Sequence, residues 1–524
     1  MDVIMKMNNG VTNRGQNENA MPKVTLLHRS LKQNLEQLKR ELGESSDIMM
    51  QEIELGKNGQ LLSVILYTDG LADKNVINGS IMGTLLSDRF NESIEAVTGR
   101  TEPLPLPKPF FQSMGDNMVI EDFETLYNSL LTGETILLFN GYVNGLSIST
   151  QSWKERSITL PTSQSAVRGP QEGFTETLRT NTAMIRRKIN DPNLWLETMQ
   201  IGRVTKTEVA FMYMKGIVKD EIVEEVRARL ERIDIDGILE SGYIEELIQD
   251  EAYSPFPTIN NTERPDTAAA QLLEGRVVIL VDGTPFVLVV PMLFISFFQT
   301  AEDYYHRADI STLLRIIRFV SFFIAMIGPA VYIAVTTFHQ ELIPTQLLIS
   351  LAAQREGVPF PAFIEGLMME VTFEILREAG IRMPKTVGQA LSIVGTLVIG
   401  QAAVEAGIVS ASMVIVVSIT AIASFVIPAY GMSISIRMIR FVFMGLAASF
   451  GIYGIVVALI ALVIHLCTIR SFGIPYLSPF APFVTGDHKD TIFRLPHWAM
   501  STRPKFISQN HVRKHGSKPS KPKS

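Results

Sequence analysis

Three glutamates, Glu370, Glu374 and Glu378, recur every four residues in "PFPAFIEGLMMEVTFEILREAG", which places their carboxylates along one face of a helix. Ile364, Met368, Val371 and Ile375 form an apolar stripe beside them. Two chemistries fit. One is an amphipathic helix lying on a membrane with its acidic face in water; the other is an acidic vestibule that concentrates cations when subunits repeat it around a ring. A second stretch, "GTLVIGQAAVEAGIV", keeps Gln401 and Glu405 in a run of small apolar residues. Leu391, Gly395, Val398, Ala402 and Glu405 follow steps of three and four and share a face. Such a face packs helices closely. It can equally line a narrow pore, with Val398 as a hydrophobic constriction and Glu405 as a cation-attracting mouth.

Catalytic chemistry has no comparable footing. The chain holds no GxxxxGK[ST], HExxH or GxSxG pattern. Its eight histidines are scattered without ligand spacing, and the single cysteine, Cys467, forms neither a disulfide nor a cysteine metal site within one chain. No enzyme, cofactor or metal site is expected.

The elements that carry these residues divide the 524-residue chain in two. The first half is rich in charge, whereas long runs beyond about residue 310 are nearly free of it, so the net charge of −6 says little. The opening residues lack the apolar core of a secretory signal, so the first half is expected to stay on the cytoplasmic side. Leu27, Leu31, Leu35, Leu38 and Leu42 recur at helical spacing. "QLLSVILYTDGLADKNVI" reads as strand, glycine turn and helix, and "ETILLFNGYVNGLSIST" as a second strand. "VILYTDGLADKNVI" also aligns with "AFMYMKGIVKDEIV": Tyr67 meets Tyr213, Gly70 meets Gly216 and Ile77 meets Val223, the pattern of two related α/β subdomains. A basic helix between them carries Arg179, Arg186, Arg187 and Lys188, whose expected partners are acidic groups on a neighbouring subunit rather than nucleic acid.

Four runs near 319–338, 387–409, 412–430 and 441–469 approach or exceed the ~20 residues that cross a bilayer. Residues 285 to 298 are apolar but short and proline-broken, and read as an interfacial or re-entrant segment. Four spans leave both ends on one side, with the basic tail cytoplasmic and free to touch lipid head groups. The expected fold class is therefore α+β: a disordered stretch 1–22, α/β subdomains over 23–160 and 161–275, a helical polytopic membrane domain over 276–485, and a basic tail over 486–524. Between soluble and membrane parts lie "TERPD" and "VDGTPF". Glu263, Arg264, Pro265 and Asp266 can form charge-assisted bonds, and Asp282, Gly283 and Pro285 make a turn, so both motifs are candidates for coupling the domains.

Several long, ordered motifs resemble the A subunit of spore germinant receptors, the GerA family: "VRGPQEGFTETLRTNTAMIRRKI", "IDIDGILESGYIEELIQD", "SPFPTINNTERPD" and "EGRVVILVDGTPFVLVVP". The resemblance runs over roughly residues 30 to 490. It implies a protein of the endospore inner membrane, acting with a transporter-like B subunit that binds the nutrient and a lipoprotein C subunit. It further implies assembly as a homo-oligomeric ring whose pore releases monovalent cations on nutrient sensing. A stage V sporulation AF-like amplifier of the same family and a non-conducting scaffold subunit are the alternatives.

Overall fold

The computed structural model describes residues 25–56, 61–90, 92, 110, 117–152, 161, 164, 168–382, 400–510 and 512. Between residues 153 and 154 the chain divides into two compact units, apart from residues 190–192, which group with the first. The boundary expected at 160 thus falls slightly late.

The first unit contains α1 (Leu31–Leu42), β1 (Ile48–Leu55), β2 (Leu61–Thr68), α2 (Met82–Leu85, entered through a π-helical turn at Val76–Ile81), β3 (Asn117–Ile120), α3 (Phe123–Leu131), β4 (Thr135–Phe139) and β5 (Gly145–Ile148). The five strands are antiparallel in the order β1-β2-β4-β5-β3. Successive side chains of a strand point to opposite faces. Val64 and Leu66 therefore pack with Leu31, Leu38 and Leu42 of α1 and with Leu126 and Leu130 of α3. Ile65 and Tyr67 pack with Ile77, Ile81 and Leu85 on the other side. Helices on both faces explain why β2 reads as one apolar run rather than an alternating one. "ETILLFNGYVNGLSIST" makes a hairpin, not one strand: Asn140 and Gly141 turn the chain, with Gly141 at φ +90°, where a side chain is strained.

The second unit opens with the same plan: α4 (Leu178–Lys188), β6 (Leu194–Ile201), β7 (Thr207–Met214), α5 (Asp220–Glu231), α6 (Ser241–Ile248), β8 (Asn260–Thr262), α7 (Pro265–Leu273), β9 (Val277–Val281) and β10 (Val287–Val290). Its order, β6-β7-β9-β10-β8, repeats the first sheet strand for strand. Both β1–β2 and β6–β7 form eight-residue ladders, with Tyr67 opposite Met49 and Tyr213 opposite Trp195. Gly70 and Gly216 turn at φ +87° and +80°. The duplication expected from one short alignment therefore extends over the whole subdomain. It also corrects two boundaries. Residues 287–290, expected at the membrane, are a fully buried strand of this sheet, and the sheet runs to Val290 rather than stopping at residue 275. Their apolar run reflects burial on both faces, a pattern hydropathy does not distinguish from lipid contact.

Beyond the sheet come a 3₁₀ turn (Phe294–Phe298), α8 (Glu302–Tyr305), α9 (Ala308–Thr337), α10 (Thr345–Arg355), α11 (Ala362–Arg382), α12 (Gly400–Glu405), α13 (Ala411–Val426) and α14 (Tyr430–Thr468), then the short strands β11 (Arg470–Ser471) and β12 (Ile474–Pro475). Among the described residues, α9 and α14 are long and apolar enough to cross a membrane; α13 is shorter. Yet α14 is not one rod. The Ser435 hydroxyl donates to the Pro255 carbonyl, while Ser254 lies 3.0 Å from His465 Nε2. A straight helix would hold Ser435 and His465 about 45 Å apart, too far to touch adjacent residues. Gly451, at φ +62° and ψ −143°, reverses the chain, so limbs 430–450 and 452–468 form a hairpin. The single span expected over 441–469 is thus two limbs.

The hairpin defines two ends of the bundle. Its tip lies beside Phe338 and His339 at the end of α9, away from the sheet, and its two feet lie beside residues 254–257. From the far end, α13 descends: Ser412 meets Tyr332 at 2.7 Å, and Ser424 accepts from Ser433 at the foot of α14. Large apolar side chains on α13 and α14, including Ile415, Ile419, Ile422, Val442, Ile460 and Ile464, face outward. Chain leaving the last limb returns to the sheet: Ser471 donates to Thr258 and Tyr476 to Pro257. Residues 469–510 therefore lie on the side from which α9 departs. The tail, expected to be free over 486–524, packs back as far as Gln509, with Ile507 fully buried.

Candidate functional site

Of the glutamates of α11, Glu365 and Glu370 are fully buried and Glu374 is half-buried. The helix descends from the far end, where Gly366 abuts Met413 and Met444, to the near end, where the Arg377 guanidinium lies 5.1 Å from the Phe425 ring. Between these levels the Glu370 carboxylate meets the Arg440 guanidinium, both side chains at 0% exposure. One turn on, Glu374 pairs with Arg437, and Arg440 Nη2 stands 3.7 Å from its second oxygen. One turn back, Glu365 is fully buried and accepts the backbone N–H and hydroxyl of Ser410, with Arg355 4.0 Å away. Ile364, Val371 and Ile375 are exposed instead. This is the reverse of a surface helix: carboxylates point inward and the apolar stripe outward, as in a helix set in hydrocarbon. The acidic stripe is also neutralised within the chain, and Glu378, which is exposed, pairs with Arg382 at 2.6 Å. It does not form an open acidic face.

Burying two charges costs several kcal/mol each, and their attraction offsets this only when geometry and further hydrogen bonds are good. Glu370 engages Arg440 through one oxygen, and its other oxygen meets no donor among the described residues. The Arg440 Nε likewise meets no acceptor among the described residues. A bundle built only for packing gains nothing from this pair. The sequence signal was available, since Arg437 and Arg440 break an apolar run, but reading them as loop residues between spans hid them.

Of the stripe proposed as a pore face, Leu391, Gly395 and Val398 lie outside the described residues. Ala402 and Glu405 sit on α12 and are exposed, and Glu405 accepts from Gln401 at 2.8 Å. The structure does not bring this stripe together with the Glu370–Arg440 row by any described contact.

The coupling motifs divide. Arg264 forks onto Asp266 at 3.1 and 2.7 Å, and the Tyr305 hydroxyl donates to the same carboxylate at 2.6 Å. Burial alone would raise the Asp266 carboxyl, but the bonds from Arg264 and Tyr305 outweigh it and hold the group below the usual range. Pro265 takes the first helical position of α7, leaving Arg264 extended, and the Glu263 carbonyl accepts from Phe174. Because Tyr305 ends α8, this cluster ties the sheet to the root of α9. "VDGTPF" does not. It turns between β9 and β10, at the sheet end opposite the exit toward the bundle, so Pro285 does not begin a membrane-facing segment. Asp282 accepts from Leu178 at 2.9 Å and Gly283 donates to Glu176 at 2.7 Å; Asn140 and Gly141 make the same bonds to Leu31 and Arg29 in the first repeat. The motif is a device of the repeat. The basic helix α4 likewise finds partners within the chain: Arg187 and Lys188 lie 3.8 and 3.2 Å from Glu172.

Sequence reading missed one cluster. At the root of α9, Asp303 is fully buried and receives Arg315 at 2.9 Å and Arg318 at 2.8 Å. Arg315 also reaches Asp490 at 2.8 Å, and the Tyr304 hydroxyl donates to Asp490 at 2.7 Å. Burial first, then the Asp490 charge, push the Tyr304 phenol well above its ordinary value. Arg315 and Arg318, one turn apart at the start of an apolar helix, were the available signal.

A family model described as Bacillus/Clostridium GerA spore germination protein matches residues 36–506. The chain is 51% identical over 485 residues to spore germination protein KA of Bacillus subtilis, covering 92% of this chain and 88% of that protein. It is 45% identical over 497 residues to the B. subtilis uncharacterized membrane protein YfkQ, 94% of each chain. Spore germination protein A1 of B. subtilis matches at 40% over 475 residues, 91% of this chain and 95% of that one. Among solved structures, the crystal structure of the N-terminal domain of the A subunit of the Bacillus megaterium spore germinant receptor GerK3 is 41% identical. It covers 52% of this chain and 98% of that chain, with a TM-score of 0.42.

Proposed function

Because the chain belongs to the GerA family of spore germination proteins, we propose that it is the A subunit of a nutrient germinant receptor whose bundle contributes the path for monovalent cations. On this reading it acts in the inner membrane of the endospore, without catalysis, in a homo-oligomer beside a transporter-like B subunit and a lipoprotein C subunit. Both repeats and the returning C-terminal segment face the spore core. The observation that carries the proposal is the Glu370–Arg440 pair, fully buried inside a bundle whose outer faces are apolar. Intramembrane charge is costly and is kept where ions, protons or gating need it.

The test separates a conducting subunit from a scaffold. Replacing a buried ion pair by apolar or neutral groups of similar size leaves stability nearly unchanged, whereas removing one partner costs about 3–5 kcal/mol. Spores carrying Glu370→Gln with Arg440→Met, at matched protein level, are exposed to a nutrient panel and early potassium release is followed. A conducting subunit shows altered release in the double variant, and Val398→Phe in the 387–409 run blocks it. Unchanged release in both would leave the chain a scaffold, with ions passing elsewhere.

A further inference from the structure

In the first repeat, the chain that leaves β5 closes over the turn after β2. Asp73 donates to the Thr150 carbonyl, Ser152 donates to the Leu71 carbonyl, and Ala72 bridges Gln151. The second repeat has the same turn, but its chain leaves β10 toward the bundle instead of closing directly over that edge. The place is filled nonetheless. Lys219 donates to the Ile507 carbonyl, Gln509 donates to the Ile217 carbonyl, and Val218 bridges Ser508. Bond for bond, a segment 291 residues further along the chain replaces the local continuation. The fit extends to side chains. Ile507 is fully buried in the core formed with Val218, Ile222 and Val223, and Gly275 keeps room for the strap, since a Cβ there would stand 3.3 Å from Ser508 Cβ.

We propose that this C-terminal strap is the interchain-like partner of the second repeat, and that its docking couples the membrane bundle to that repeat. In the first repeat the filling segment is continuous with β5, so its place is always occupied. In the second, the segment arrives only by way of the bundle: it begins at the foot of the α14 hairpin and passes the root of α9, where Asp490 holds the buried Arg315. Docking at Val218 therefore depends on how the bundle stands, and by linkage the bundle responds to docking by the same factor. Loss of the edge bonds would leave the repeat joined to the bundle through α8 and through residues 254–258.

The docking part of the inference stands apart from the proposed function, while the coupling part rests on it. The experiment reads both. In the full chain with Cys467→Ser, Val218→Cys and Ser508→Cys are introduced, because bridged residues lie within disulfide reach. Quantitative oxidative cross-linking in native membranes is expected, and its absence would overturn the docking. Gln509→Pro removes the donor to Ile217, and Ile507→Asp places a charge in the core; each is expected to abolish the cross-link while leaving membrane level and protease resistance of the repeats unchanged. Nutrient-triggered potassium release in spores then falls about tenfold in these variants. Normal release from a chain whose cross-link is lost would overturn the coupling. No release from the parent chain would instead sink the receptor reading and leave the docking result intact.

Discussion

Asn140 and Asp282 occupy one position in two copies of a fold: each follows the fourth strand of its sheet, and each accepts the backbone N–H of the leucine that starts a helix, Leu31 at 3.2 Å and Leu178 at 2.9 Å. Their neighbours Gly141 and Gly283 share φ near +90° and donate to Arg29 and Glu176. A motif that looks like a signal-carrying hinge in sequence is thereby identified as a helix cap supplied from a distant turn.

Removing that cap has a modest, specific cost. Asp282→Ala is expected to destabilise the second repeat by about 1 kcal/mol, the size of a lost N-cap acceptor. Asp282→Asn, which copies the first repeat, is expected to cost far less. Thermal unfolding of the solubilised chain distinguishes the two, and equal losses would show that charge rather than capping matters.

Gly451 is expected to tolerate no side chain. Its φ and ψ belong to a region open to glycine, and a Cβ would come within 2.6 Å of the His339 ring and 3.0 Å of Phe338. Gly451→Ala should sharply lower the amount of folded protein in the membrane. Gly445→Ala, in the limb before the reversal and with open space around it, should not. Equal yields from the two variants would contradict the hairpin.

Glu245 sets a pH dependence in the second repeat. Burial first, and the nearby Glu240 charge second, raise its carboxyl to about 6, against the pull of a bond from Asn261. A carboxyl raised in the folded state contributes stability that is fully present below its unfolded value near 4.5 and is lost as pH rises through about 6. Unfolding measured from pH 4.5 to 7 should therefore show a loss of up to about 2 kcal/mol from this group, which Glu245→Gln abolishes. A flat difference between the two chains across that range would refute the assignment.

How much of this was written in the sequence can be judged element by element. Leu31, Leu38 and Leu42 announced α1, and the match of Tyr67 and Gly70 with Tyr213 and Gly216 announced the repeat, because periodicity and turn chemistry are local properties of the chain. The ordered motifs around "TERPD" fixed the family. Hydropathy located α13 within a few residues and the end of α9 within one, though α9 begins eleven residues before the expected span. It failed at β10 and at α14, since a strand buried on both faces and a membrane limb are equally apolar, and since one glycine among many small residues does not declare that it reverses the chain.

The candidate site divides the same way. Sequence by itself determined that Glu370, Glu374 and Glu378 share a helix with an apolar stripe. Only the tertiary structure decided which side faces in, because that depends on Arg437 and Arg440 arriving from a limb more than sixty residues later. The strap was equally invisible: Ile507 looks like part of a basic tail until the second repeat presents an unfilled edge. Side-chain type and spacing are set along the chain, but pairing is set by which distant segment the fold brings alongside, and the free energy of a buried charge or an open strand edge is decided there.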